Sequence, residues 1–252
     1  MILLSLLSNI SLALSPETAY KWISTIPVST ESQKILARYS ELSDEFSTEL
    51  FAWSKTQLAK SASAALRTYQ ANGCSNSALF KIIDGKKIFA SISEQEQLFT
   101  DSLFFIESSY CLEGISLDKA HTVYMSEEFR VSVMPQVISF SQKGTLSCSE
   151  GEGVFGILKA SKYCFQNKEQ RSNTSILIRN SFHSVEQGID WQPYYFREEI
   201  LLFVQMNDGV GLYRATFTRS DDLGTTSKYL LRNTVDSSQS NIRDQYYEWL
   251  TR

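Results

Sequence analysis

Apolar residues in the first third of the chain follow a helical period. Ile35, Tyr39, Leu42, Phe46, Leu50 and Trp53 are separated by steps of 4, 3, 4, 4 and 3, which places them on one stripe of an α-helix. Leu58, Ala62, Ala65, Leu66 and Tyr69 extend the stripe to Asn72-Gly73, a natural C-terminal stop. Ser15 before Pro16 starts a shorter helix that Pro27 ends. Ser29 or Thr30 can cap the longer helix, which is expected to bend or break once, around Ser43 or Ser54. The stripe predicts core packing, with a partner-binding face as the alternative.

Beyond Gly73 the period drops towards two. Ala78–Ile83 and Lys87–Ile92 flank Asp84-Gly85 as a hairpin would, and Leu103–Leu112 reads as a strand. Ser116 can cap a helix over Leu117–Ser126. Phe129, Val131 and Val133 alternate with polar residues and predict a half-buried strand that Pro135 limits, with Val137–Phe140 extended after it. Val154–Phe165 and Ser175–Val185 are further strands. In the next, Ile200, Leu202, Val204 and Met206 fill one face while Leu201 and Phe203 fill the other, so it should be central and covered on both sides. Asn207-Asp208-Gly209 turns the chain into Leu212–Thr218, Lys228–Val235 is another strand, and Asn241 can cap a final helix carrying Ile242, Tyr246, Trp249 and Leu250.

The expectation is an α+β fold: an N-terminal helical layer, an antiparallel sheet of roughly six to eight strands, and a C-terminal helix. No repeat or low-complexity linker divides the chain. Residues 16–252 therefore read as one domain, helical over 16–73 and sheet-rich over 74–252, with a separable helical segment at 16–73 as the alternative.

Residues 1–15 read as a secretory signal peptide. Ile2 to Leu14 carry no charge and are almost all apolar or small, a run too short for the ~20 residues of a membrane span. Ala13 and Ser15 supply small residues for cleavage, whereas the missing Lys or Arg and the Pro16 that would follow the cut depart from the usual pattern. No other segment could span a bilayer, and a periplasmic or secreted location follows. A buried first helix or strand of a cytosolic protein is the competing reading.

Composition narrows the class. With 24 Lys and Arg against 28 Asp and Glu in 252 residues, the net charge is −4, and there is no basic excess to displace counterions from a nucleic acid. Cys74, Cys111, Cys148 and Cys164 form no CxxC, which excludes a zinc ribbon and a thioredoxin-type motif. In an exported chain the pairing Cys74–Cys111 and Cys148–Cys164 is expected; four buried thiols are the alternative.

No catalytic constellation emerges. The chain lacks GxSxG, HExxH, GxGxxG and GxxxxGK[ST] patterns, and its two histidines are His121 and His183. His183 and Glu186 would face opposite sides of a strand, so no metal ligand set and no cofactor is expected. Glu127, Glu128, Asp190, Glu198 and Glu199 are candidate carboxylates, but their spacing does not separate them from a solvated surface. Glu150-Gly-Glu-Gly153 offers too few oxygens for a calcium loop, and Asn173-Thr-Ser175 is a sequon meaningful only in a eukaryotic secreted protein. The most distinctive stretch is Ile189-Asp-Trp-Gln-Pro-Tyr-Tyr-Phe196. Trp191, Tyr194, Tyr195 and Phe196 suit the rim of a ligand pocket or a protein interface, and they equally suit a loop folded over the sheet.

Gly114-Ile-Ser-Leu-Asp-Lys-Ala120, Met125, Gly153-Val-Phe-Gly156, Ile189-Asp-Trp-Gln-Pro193 and the hairpin around Asp208-Gly209 together resemble uncharacterised exported proteins of spirochaetes over about residues 75–218. The resemblance implies an envelope or secreted location and supplies no catalytic residues. The architecture also resembles helix-grip lipid carriers, in which an antiparallel sheet wraps a C-terminal helix around an apolar cavity. The short last helix and the preceding helical layer depart from that pattern. The sequence thus points to an exported, non-catalytic protein that binds an apolar small molecule or an envelope partner. An envelope hydrolase working through carboxylates and a structural assembly subunit are the alternatives.

Overall fold

The computed structural model describes residues 13–37, 42–73, 79–84, 93, 103–133, 137–151, 162–186, 196–219 and 244–251. In chain order the elements are α1 (Pro16–Thr25), α2 (Thr30–Ala37), α3 (Asp44–Asn72), β1 (Leu79–Asp84), β2 (Leu103–Glu113), α4 (Leu117–Tyr124), α5 (Glu127–Val133), β3 (Val137–Lys143), β4 (Leu146–Gly151), β5 (Lys162–Arg171), β6 (Ser175–Glu186), β7 (Phe196–Gln205), β8 (Gly209–Arg219) and α6, a helix at 244–251. The fold is α+β.

Capping chemistry decides most helix ends. Ser15 caps α1, with Pro16 in its first turn; Ser29 Oγ accepts from the Ser32 amide at the start of α2; and Ser43 caps α3. The break in the long apolar stripe therefore falls at Ser43, while Ser54 sits inside α3 with its hydroxyl donating to the Phe51 carbonyl. Gly73 ends α3 at φ +59°, a left-handed conformation that glycine adopts without penalty. Ser116 caps α4.

The segment at Phe129–Val133 corrects the sequence reading, because it is a helix rather than a strand. Ser126 Oγ accepts from the Phe129 amide, and Glu127 and Glu128 occupy the first turn, where the helix dipole favours carboxylates. Five alternating residues were too few to outweigh that start signal, and Val131 is exposed while Phe129 is buried. Of the strand expected over Val154–Phe165, the described part from residue 162 on falls in a strand that runs to Arg171. Strands β4 and β5 occupy 146–151 and 162–171, and residues 152–161 between them lie outside the described residues, as do the expected strands at Lys87–Ile92 and Lys228–Val235.

The eight strands form one antiparallel sheet in the order β1-β2-β8-β7-β6-β5-β4-β3. β2 pairs with β8 over eleven residues, so an early strand closes against the last described one, and the two stand second and third from the β1 edge. Strand β7 is covered on both faces. Ile200, Leu202 and Val204 join one core, whereas Leu201 and Phe203 join the other. The first core lies under α1 and α3 and takes in Ile23, Leu50, Leu58 and Leu66 with Phe105 and Phe217. The second lies under α4, α5 and α6 and is rich in rings. Phe129 and Tyr246 are 4.7 Å apart between centroids, and Tyr124 meets Phe203 edge-on at 5.7 Å. Leu14 belongs to the first core, and its carbonyl accepts from Gln70 Nε2.

Cys148 and Cys164 lie directly opposite each other on β4 and β5 and form a disulfide with a Cα separation of 4.1 Å. Cys111 is also disulfide-bonded; its expected partner, Cys74, lies outside the described residues. Among the described residues no helix is long and apolar enough to cross a membrane.

Candidate functional site

Side chains alternate between the faces of a strand, so membership of the two cores sorts every strand residue to one side. On the face shared with α4, α5 and α6 the register stacks residues in rows across the sheet. One row runs Tyr110, Leu212, Phe203 and Ile176, all apolar and buried under the helices. The next runs Ser108, Arg214, Leu201 and Ile178. The one beyond runs Ile106, Thr216, Glu199, Asn180 and Asn167, and a further row holds Phe104, Thr218 and Arg197. The face thus changes within about 13 Å, two strand periods, from an apolar wall to a surface carrying charge.

The charged group is compact. Arg197 and Arg214 both donate to Oε2 of Glu199, Arg214 at 3.2 Å. Glu199 is 5% exposed, Arg214 14% and Arg197 23%, so the carboxylate lies at the bottom and the guanidiniums above it. Arg197 also stands over the Phe165 ring, 6.0 Å from its centroid. Some polar atoms are left over. Arg214 Nε, Asn180 Oδ1 and Asn167 Nδ2 are buried and have no partner among the described residues, although Asn167 Oδ1 accepts from Ser147. Buried polar atoms are nearly always matched, and on the opposite face Arg179 Nε and Nη1 are likewise without a partner among the described residues.

The opposite face also carries buried polar groups, arranged differently. Arg179 and Glu198, both fully buried, pair at 2.6 Å, and Ser32 Oγ of α2 donates to the other carboxylate oxygen at 2.9 Å. Ser29 donates to Ser32, so a chain of hydrogen bonds ties α2 to β6 and β7. Nearby, Tyr213 donates to Glu107 at 2.5 Å. Burial, and then the Glu107 charge, push the Tyr213 phenol far up. Burial also raises the Tyr69 phenol, to about 12, and its hydroxyl donates to the Leu212 carbonyl at 2.9 Å and contacts Ser109. Both phenols stay protonated, and these groups fasten helices to the sheet.

His121 of α4 leans edge-on against Phe203, with Nε2 3.5 Å from Glu169 of β5. Burial lowers its pKa despite the raising effect of Glu169, and Arg171 acts in the same direction as burial. Among the described residues no group of three or more His, Cys, Asp or Glu could hold a metal ion.

The residues proposed from the sequence fare unevenly. Trp191, Tyr194 and Tyr195 lie outside the described residues, and Phe196 opens β7 opposite Arg219. Of the candidate carboxylates, Glu198 and Glu199 are buried in ion pairs on opposite faces, Glu127 and Glu128 are exposed on α5, and Asp190 lies outside the described residues. Sequence reasoning missed Arg197, Arg214, Asn180 and Arg179. Their signal was charged or amide side chains inside strands whose neighbours are Ile, Leu and Phe.

No family model matches the chain, and no curated protein matches it. Among solved structures it is similar to a conserved protein from Geobacillus kaustophilus, with 10% identity and a TM-score of 0.44 over 57% of this chain and 93% of that one. It is also similar to human STARD10, with 9% identity and a TM-score of 0.43 over 73% of this chain and 80% of that one. A third such structure is Ara h 8.0201, with 10% identity and a TM-score of 0.41 over 59% and 98%.

Proposed function

We propose that the chain is a non-catalytic binding protein that holds an apolar ligand between its sheet and the helices α4, α5 and α6. One observation carries this reading: a single sheet face passes from an apolar wall into rows that place a few buried polar groups among Leu201, Ile178 and Ile106. Small-molecule sites have this composition, mostly apolar with a few polar groups that fix orientation. A ligand bound there would give partners to the unmatched atoms of Arg214, Asn180 and Asn167.

The same reading places the chain in an oxidising compartment, periplasmic or secreted. The disulfide at Cys148–Cys164 and the engagement of Cys111 in another support it. Leu14 packs in the core and Ser15 caps α1, so we place leader cleavage before Leu14 rather than after Ser15. Mass spectrometry of the chain recovered from fractionated cells should show Met1 absent; an intact Met1 in the cytosolic fraction contradicts export.

Binding is tested by native mass spectrometry of the purified protein, followed by organic extraction. The expected result is a co-purifying apolar molecule, or uptake of a neutral fluorescent apolar probe after delipidation. A ligand-free protein that takes up no such probe overturns the proposal.

A further inference from the structure

The unmatched atoms say more about the ligand than the apolar wall does. Resting on the binding reading above, the geometry points to an amphiphile with an anionic oxygen head, received by Arg214 on the helix-side face of the sheet. Arg214 Nη2 shares a single carboxylate oxygen of Glu199 with a second guanidinium, and its Nε is buried without an acceptor among the described residues. A guanidinium that is 14% exposed and holds half of a counter-charge is under-neutralised where water is scarce. A carboxylate or phosphate oxygen on Nε makes the charge-assisted hydrogen bond that is missing.

The surroundings suit the rest of such a molecule. Arg214 stands between Ser108 and Leu201 in its own row with Ile178 beyond Leu201, Ile106 lies in the next row, and Phe104, buried at 3%, belongs to neither packed core. Asn180 Oδ1 and Asn167 Nδ2 lie two and three strands from Arg214, about 10 and 14 Å across the sheet, within reach of a polar group further along the ligand. They supply an acceptor and a donor there without requiring charge. A neutral alcohol of the same chain length would leave Arg214 as it stands.

The test is displacement of a neutral fluorescent probe, N-phenyl-1-naphthylamine, from the delipidated full-length protein. Oleate and oleoyl lysophosphatidate should displace it at concentrations at least ~10-fold below those of oleyl alcohol, a preference of about 1.4 kcal/mol. Acetate and inorganic phosphate at the same concentrations should displace nothing. R214M should bring both acids to the level of the alcohol; Arg197 remains in that variant to hold Glu199. Equal displacement by acid and alcohol in the unaltered protein overturns the inference while the binding reading stands. Displacement by acetate or phosphate alone also overturns it, because the site would then hold an ion and not an amphiphile. Failure of the probe to bind at all overturns the binding reading itself. The comparison within the unaltered protein decides the matter even if R214M does not fold.

Discussion

At the scale of single residues, a steric exclusion shapes the sheet face under α3. Gly211 lies against the Tyr69 ring, and a Cβ added there would come within 2.5 Å of it. Tyr69 is held in place by its hydroxyl bond to the Leu212 carbonyl, so the ring cannot simply swing aside. Gly211→Ala should destabilise the fold by about 1–3 kcal/mol, the usual cost of overpacking. Combining it with Tyr69→Leu should cost less than the sum of the two single changes, which urea denaturation of the four proteins would show. Arg179 obeys the opposite logic: its charge is tolerated only because Glu198 answers it. Arg179→Met strands a fully buried carboxylate and should cost about 3–5 kcal/mol, whereas Arg179→Met with Glu198→Leu should regain much of that loss. If the double change is as damaging as the single one, the pair does more than neutralise itself.

Whole elements are fastened by cross-strand and cross-layer ties. The Cys148–Cys164 disulfide closes a sequence separation of 16 between neighbouring strands close to the β3 edge of the sheet. A closed loop of that size restrains the unfolded chain by about 3 kcal/mol. Cys148→Ser with Cys164→Ser should lower the denaturation midpoint accordingly, with the slope of the transition little changed. Helix α4 is tied to β5 through His121 beside Glu169 and Asp118 beside Arg171. His121 has a folded pKa below its ordinary value of 6.5, chiefly because it is buried. Below 6.5 the unfolded chain therefore binds more protons than the folded one, so stability contributed by His121 is present above that value and is lost as pH falls towards the folded pKa. Melting temperature measured from about pH 7 down to about pH 5 should fall, and His121→Phe should flatten that dependence. A slope unchanged in the variant would place the titration elsewhere.

For the molecule as a whole, periodicity in the sequence carried most of the architecture, because long stripes and two-faced strands leave few packing choices. The stripe from Phe46 to Tyr69 and the double-sided run from Ile200 to Val204 are where they were expected, on α3 and β7. The short segment at Phe129–Val133 went astray because a cap at Ser126 outweighs a brief alternation. The site was less legible. Arg197 and Arg214 become neighbours only through the β7–β8 register, and an aromatic-rich stretch draws the eye away from single arginines in apolar strands. The same register explains why the N-terminal layer cannot be spared. Leu177, Ile200, Leu202, Ala215 and Phe217 are all fully buried in the core formed with α1 and α3. At about 25 cal/mol per Å² of apolar surface, baring such a face forfeits more than a typical domain's net stability of about 5–15 kcal/mol. A fragment beginning at residue 75 should therefore be insoluble or molten. The full chain should melt in one calorimetric transition whose van't Hoff and calorimetric enthalpies agree. Two separate transitions, or a fragment from residue 75 with sharp, dispersed amide resonances, would show that the sheet and its other helices fold without the N-terminal layer.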